Sequence, residues 1–289
     1  MSIAKLIAKI DKMNNASVAG LDARIEYVPA HVRAKYDNDG DAILEFNKTL
    51  IDALCDIVPA VKPQSAYYEL LGTYGAVVLQ KTIAYAHEKG MYVILDAKRG
   101  DIGATADAYA ESYLIPSSEY NADSITVNPY LGSDGVLPFV KQCAAHERSM
   151  FALVKTSNKS SGELQDQVLA DGRKVYELMA DMVKLWGEEA PTDCGYNNVG
   201  AVVGATYPEE LTSLRQRMPN TFFLVPGYGA QGGGAEGLRG GFDKDGRGAI
   251  VNSSRAIMCA WKKVDNGETY GEAARAEALR MREDINRVR

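Results

Sequence analysis

Met91-Tyr92-Val93-Ile94-Leu95-Asp96-Ala97-Lys98-Arg99-Gly100-Asp101 is the stretch that decides the fold. Its first five residues are a continuous apolar run, the signature of a parallel strand buried on both faces. Side chains alternate along a strand, so Asp96 and Lys98, two residues apart, leave it on the same side. A third charge, Asp101, follows directly. Buried charges are costly unless paired. A hydrophobic strand that ends in opposite charges therefore reads as a site of chemistry at its carboxyl end. The plain alternative is an ion pair at the rim of a sheet, which stabilises little.

Seven further apolar runs flank this one. They are SVAGLD ending at Asp22, IVPAVK at Lys62, SITVN at Asn128, FALVKTS at Ser157, VGAVVGAT at Thr206, TFFLVPG at Gly227 and AIVNSS at Ser254. Between them lie stretches with 3.6-residue apolar spacing, clearest over 42–56, 65–89, 104–114, 164–188 and 208–217. Eightfold strand–helix alternation predicts the α/β class and a (β/α)8 TIM barrel, one domain over residues 1–289. Residues 159–198 form an enlarged helical connection after strand five, read as a charged surface insertion, and 269–289 form a charged outer helix. A doubly wound sheet is the alternative. It would carry a glycine-rich nucleotide loop after its first strand, whereas strand one here ends in Gly20-Leu21-Asp22.

Composition narrows the function. A hydrophobic content of 46% supplies a large core, and a net charge of −6 points away from nucleic acid and anionic membranes. The amino-terminal MSIAKLIAKIDKMNN is amphipathic and lacks the apolar centre of a signal peptide. No run reaches the length of a membrane span, so a cytoplasmic protein is expected. The four cysteines are scattered with no CxxC pair, and Cys55 and Cys259 are expected as buried thiols. His87 and His146 are expected at solvated helix ends, and no HExxH helix is present. A histidine-based zinc site or a Ser-His-Asp triad has little to build on.

In a barrel of this kind the carboxyl ends of the strands converge on one pocket. Asp22, Lys62, Asp96 and Lys98 would meet there, with Ser157 nearby. The last two strand ends, PGYGAQGGG (Pro226–Gly234) and NSSR (Asn252–Arg255), fit a phosphate clamp built from glycine-loop amides and the Arg255 guanidinium. A phosphorylated small-molecule substrate follows. Gly227 to Gly232 also satisfies GxGxxG, but no Rossmann-like helix comes after it. The loop reads instead as a flap that carries Gln231.

Taken together, these residues resemble the orotidine 5'-phosphate decarboxylases, specifically their longer bacterial-type branch. The branch marker is LDAKRGDIGATADAYA, Leu95 to Ala110. More widespread branches carry a DxKFxDIPxT-like version, from which Arg99, Gly100 and Gly103 depart. The Asp-x-Lys-x-x-Asp motif alone also fits sister decarboxylases and synthases that act on sugar phosphates. GLD, VKP, KTSN, VPGYGAQGG and NSSR make the match specific and extend it over essentially the whole chain.

The resemblance implies decarboxylation of orotidine 5'-phosphate to UMP, the last step of de novo pyrimidine nucleotide synthesis, with no metal or organic cofactor. Lys98 would protonate C6 as the carboxylate leaves, and Asp96 would lie beside that carboxylate. Lys62 and Asp101 would complete a Lys-Asp-Lys-Asp array. Asp22 and Lys62 would bind ribose hydroxyls, and Ser157 the pyrimidine amide edge. Gln231 and Arg255 would hold the phosphate, with Pro226 and Gly232 in the same substrate-binding loop. It also implies a homodimer in which Asp101, Ile102 and Thr105 serve the partner's site. Two rivals remain: a metal-dependent sugar-phosphate decarboxylase or aldolase, which needs an additional acidic ligand set, and a phosphate-ligand-binding barrel without chemistry. Arg99 either touches a neighbouring loop or is solvated, and Asn128 either lines the pocket or caps a turn.

Overall fold

Eight parallel strands close on themselves in sequence order in the computed structural model, which describes residues 2–229 and 234–289. They are β1 (Ser17–Leu21), β2 (Ala60–Pro63), β3 (Tyr92–Arg99), β4 (Ser124–Val127), β5 (Ser149–Lys155), β6 (Val199–Val203), β7 (Phe223–Val225) and β8 (Ala249–Ser253). Each of the eight apolar runs supplies one strand. β8 returns to β1, with Ser17 opposite Val251 and Ala19 opposite Ser253. Every residue of β1, β2, β4, β6 and β7 is buried. That follows from side chains filling the barrel inside and helices covering it outside.

The helices follow the expected periodicity with three differences. The stretch 65–89 divides into Ser65–Glu69 and Thr73–Glu88 at Gly72, whose φ of +66° breaks the helix. Helix Ser133–His146 was not among the stretches singled out, because Pro138 interrupts its pattern. Within the long connection only Val175–Gly187 is an α-helix, since Gly172 at φ +86° turns the preceding chain into a bridge between Val168 and Lys174.

Helix Tyr270–Asn286 packs outside the barrel as expected. Tyr270 stacks on Phe46 at 5.3 Å and donates to Thr49 Oγ1 at 2.7 Å, while Ala274, Ala278, Met281 and Ile285 are fully buried.

Helix Ser2–Met13 closes the amino-terminal end of the barrel. Ile3, Leu6, Ile7 and Ile10 are buried, Ser2 Oγ lies 2.5 Å from the Tyr92 hydroxyl, and Ile3 N donates to Asn198 Oδ1 at 3.2 Å. At the same end Arg215 is buried, with no ion pair among the described residues. Its guanidinium donates to the carbonyls of Thr221 and Gly248 at 2.8 and 2.7 Å, and burial pulls its pKa down to about 10.

Two side-chain expectations are corrected. Cys55 and Cys259 are half-buried, and the buried thiol is Cys143, because the first two stand where a helix ends and its packing thins out. His87 is not a solvated helix end. Its Nε2 lies 2.9 Å from Asp123 Oδ2, and Asp123 also accepts from Val93 N and Arg148, so the carboxylate at the entry to β4 gathers partners from three elements. Among the described residues no helix is long and apolar enough to cross a membrane.

Candidate active site

A cavity of about 830 Å³ opens at the carboxyl ends of the strands. Asp96 lines it together with Lys62 and Lys98. Lys62 Nζ approaches Asp96 Oδ2 at 2.7 Å, and Lys98 Nζ approaches Asp96 Oδ1 at 2.6 Å, so each carboxylate oxygen holds one ammonium. Lys62 and Asp96 are 4% and 8% exposed, while about half of the Lys98 side chain, 47%, faces the cavity. The expected same-side placement of Asp96 and Lys98 is found, but regular strand alternation is not what delivers it. The β3–β4 ladder is interrupted between Leu95 and Arg99, and Lys98 sits in the left-handed region at φ +48°. The chain curls at that point and returns the ammonium to the carboxylate two residues earlier.

The charges set one another. Burial alone would push the Asp96 carboxyl up, but the two lysines override it and hold Asp96 well below the usual carboxylate range. Burial would likewise depress Lys62, but Asp96 and then Asp22 outweigh it and raise Lys62 above 10.5. The signs fix a stability profile. An unfolded aspartate titrates near ~3.9. As pH falls through that value the unfolded chain takes up a proton that the native Asp96 refuses. The stability Asp96 supplies is therefore present above about pH 4 and lost as pH falls further. Lys62 behaves oppositely: its contribution is present below the unfolded lysine value and lost as pH rises through the higher native one. Urea unfolding of the wild-type chain should weaken more between about pH 5 and 3.5 than that of Asp96→Asn. Equal losses would show that Asp96 is not held low.

Around this trio the cavity presents groups suited to a phosphorylated sugar. Asp22, just past β1, has a buried Oδ1 with no hydrogen-bond partner, and so does Asn252 Oδ1 in β8. A buried acceptor without a donor is rare in a finished interior and suits ligand hydroxyls. Pro226 and Arg255 line the same cavity, Arg255 just past the end of β8, which runs beside β1. Gly20 makes this approach possible: a Cβ there would lie 1.9 Å from Ser254 Oγ. Gln231 and Gly232 lie outside the described residues. Among the described residues no group of three or more His, Cys, Asp or Glu side chains is placed to hold a metal ion.

The sequence profile of the family described as orotidine 5'-phosphate decarboxylase / HUMPS matches residues 37–270. The chain belongs to that family. It is 40% identical over 286 residues to the orotidine 5'-phosphate decarboxylase of Clostridium novyi, covering 99% of this chain and 98% of that one. The solved orotidine-monophosphate decarboxylase of Leishmania donovani superposes with a TM-score of 0.80 at 34% identity, covering 99% and 98%. The UMP synthase of the same organism matches with a TM-score of 0.82 at 36% identity, this chain spanning 56% of its length.

The remaining residues take their places in this decarboxylase-family barrel. Ser157 lines the cavity wall. Asn128 does both things considered for it, lining the cavity and accepting from Tyr130 N at 3.2 Å. Arg99 touches its neighbours: it pairs with Glu69 and lies 5.7 and 5.8 Å from the Tyr109 and Tyr113 ring centres. Asp101, Ile102 and Thr105 do not line this chain's own cavity. Asp101 Oδ1 accepts from Ile102 N at 2.8 Å, and Ile102 is exposed on a second groove shared with Leu137.

The long connection is more than a surface insertion. Leu164, Gln165, Tyr176 and Met179 form part of the cavity wall. Gln165 Oε1 accepts from Thr156 N at 3.0 Å and its amide donates to Thr156 Oγ1 at 2.7 Å, one residue from Ser157. Lys155, fully buried, anchors the same segment through Asp166 at 2.6 Å. Sequence reading missed Gln165, Gln64 and Thr126, and it took Asn252 only as the start of the phosphate-clamp segment. Thr126 and Asn252 had a signal as polar residues near the ends of apolar strands, whereas Gln165 had none.

Proposed function

We infer that Lys98 is the acid that completes the loss of carbon dioxide in this cavity. As a member of its family, and like its relatives along its full length, the chain decarboxylates orotidine 5'-phosphate to UMP. The observation that carries the mechanism is the Asp96 carboxylate with one lysine on each oxygen, the more exposed lysine facing the cavity.

Breaking the C6–carboxylate bond releases CO2 and leaves its electron pair in an sp2 orbital on C6. The pyrimidine ring offers no conventional sink for that pair. A fixed ammonium beside C6 stabilises it more in the transition state than in the ground state. Lys98 then transfers its proton to C6 and is reprotonated from solvent. Asp96 holds Lys98 in place through its Oδ1, and Lys62 holds Asp96 through the other oxygen. Asp22 and Lys62 hold the ribose hydroxyls, Ser157 the pyrimidine amide edge, and Pro226, Gln231, Gly232 and Arg255 the phosphate. A homodimer in the cytoplasm, with Asp101, Ile102 and Thr105 reaching the partner's cavity, completes the reading. Their position outside their own chain's cavity supports it.

An ultraviolet assay with orotidine 5'-phosphate tests this. Turnover should persist after exhaustive chelation, and its loss would favour the metal-dependent sugar-phosphate rival. In the same assay Arg255→Ala should lower kcat/KM roughly 10- to 100-fold, the worth of one or two charge-assisted hydrogen bonds. An unchanged value would place the phosphate elsewhere.

A further inference from the structure

We propose that Thr126 is the positioning residue that holds Asp96 and Lys98 in their reacting geometry. In the β3–β4 ladder Leu95 pairs with Ile125 and Arg99 pairs with Val127. Three residues of β3, Asp96 to Lys98, therefore face the single residue Thr126. The backbone ladder is missing across this bulge, and the Thr126 hydroxyl replaces it. Oγ1 accepts from Ala97 N at 3.1 Å and from Lys98 N at 2.9 Å, and lies 3.0 Å from Asp96 Oδ1. A hydroxyl has two acceptor sites and one hydrogen. With both acceptor sites occupied by backbone amides, its hydrogen goes to the carboxylate. The side chain is 1% exposed, so water does not substitute for any of the three bonds.

The arrangement links strain to function. Lys98 at φ +48° is in a conformation that costs a non-glycine residue energy and persists only when its surroundings enforce it. Thr126 enforces it at the Lys98 amide and fixes the carboxylate that receives the Lys98 ammonium. One side chain thus sets both ends of the lysine. Misplacement of a reacting group by about 1 Å can cost about 100-fold in rate. The inference rests on the assignment of Lys98 as the acid.

The test compares Thr126→Val, Thr126→Ala and Thr126→Ser with wild type and Lys98→Ala, reading kcat, KM and UMP affinity. Thr126→Val keeps the shape and removes the hydroxyl. It should lower kcat about 10- to 100-fold while UMP affinity, which depends on the phosphate and ribose contacts, stays within about threefold of wild type. Thr126→Ser should restore most of the rate. Thr126→Ala replaces the valine variant if that one does not fold. A kcat within twofold of wild type for the hydroxyl-free variants would overturn the proposal. So would a serine variant as slow as the valine one, or a rate loss matched by equal loss of UMP binding. If Lys98→Ala turned over normally, the acid assignment would fail first and take this inference with it. A dead Lys98→Ala beside a fully active Thr126→Val would overturn the Thr126 role alone.

Discussion

Lys98→Ala should abolish turnover while leaving the barrel folded. General acid catalysis contributes about 10²–10⁴ in rate, and removing a preorganised charge from a reacting centre about another 10²–10³. The combined loss expected is about five orders of magnitude. Stability should change little, because the Lys98 side chain is about half exposed and Asp96 keeps Lys62 and Thr126. Exposed partners in ion pairs contribute about 1 kcal/mol or less. A melting curve close to wild type, UMP binding retained and no detectable product are the three results expected together. A variant that still turned over at a tenth of the wild-type rate would show that a different group is the acid.

Asp101→Ala should be nearly as inactive, and mixing it with Lys98→Ala should bring activity back. In a two-fold dimer that shares its sites, each heterodimer has one cavity with an intact Lys98 from one chain and an intact Asp101 from the other. Random exchange of equal amounts makes half the dimers mixed, each with one good site of two, so about a quarter of wild-type activity should return. No other arrangement of these two residues gives that number. If Asp101 acted within its own chain, verified heterodimers would remain inactive. Asp101 and the exposed Ile102 stand outside their own chain's cavity, as that arrangement requires.

The strands and most of the pocket were legible because both follow from chemistry that a linear pattern preserves. Eight apolar runs ending in polar residues, with no nucleotide loop after the first, satisfy their backbones and bury their faces by closing a parallel barrel, and closure brings Asp22, Lys62, Asp96, Lys98 and Arg255 to one mouth. Features that depend on local backbone geometry were not legible. Nothing in Asp96-Ala97-Lys98 announces a bulge or a lysine at positive φ, and the alternation rule reached the correct side for a different reason. Gln165 was invisible because its partner, Thr156, meets it only after the connection folds back. Cys55 and His87 were misplaced because burial at a helix end depends on neighbours from other elements, Asp123 above all for His87.

Gly20, with Ser254 pressed against it, lies on the line where the last strand meets the first. Asp22 leaves one side of that line and Arg255 the other, so the seam that closes the ring also carries two of the residues proposed to hold the nucleotide. On that proposal, a ring still open at this seam lacks half of its cradle. Catalysis recovered during refolding should therefore not precede closure of this seam: product formation before β8 docking would show the two events to be separate.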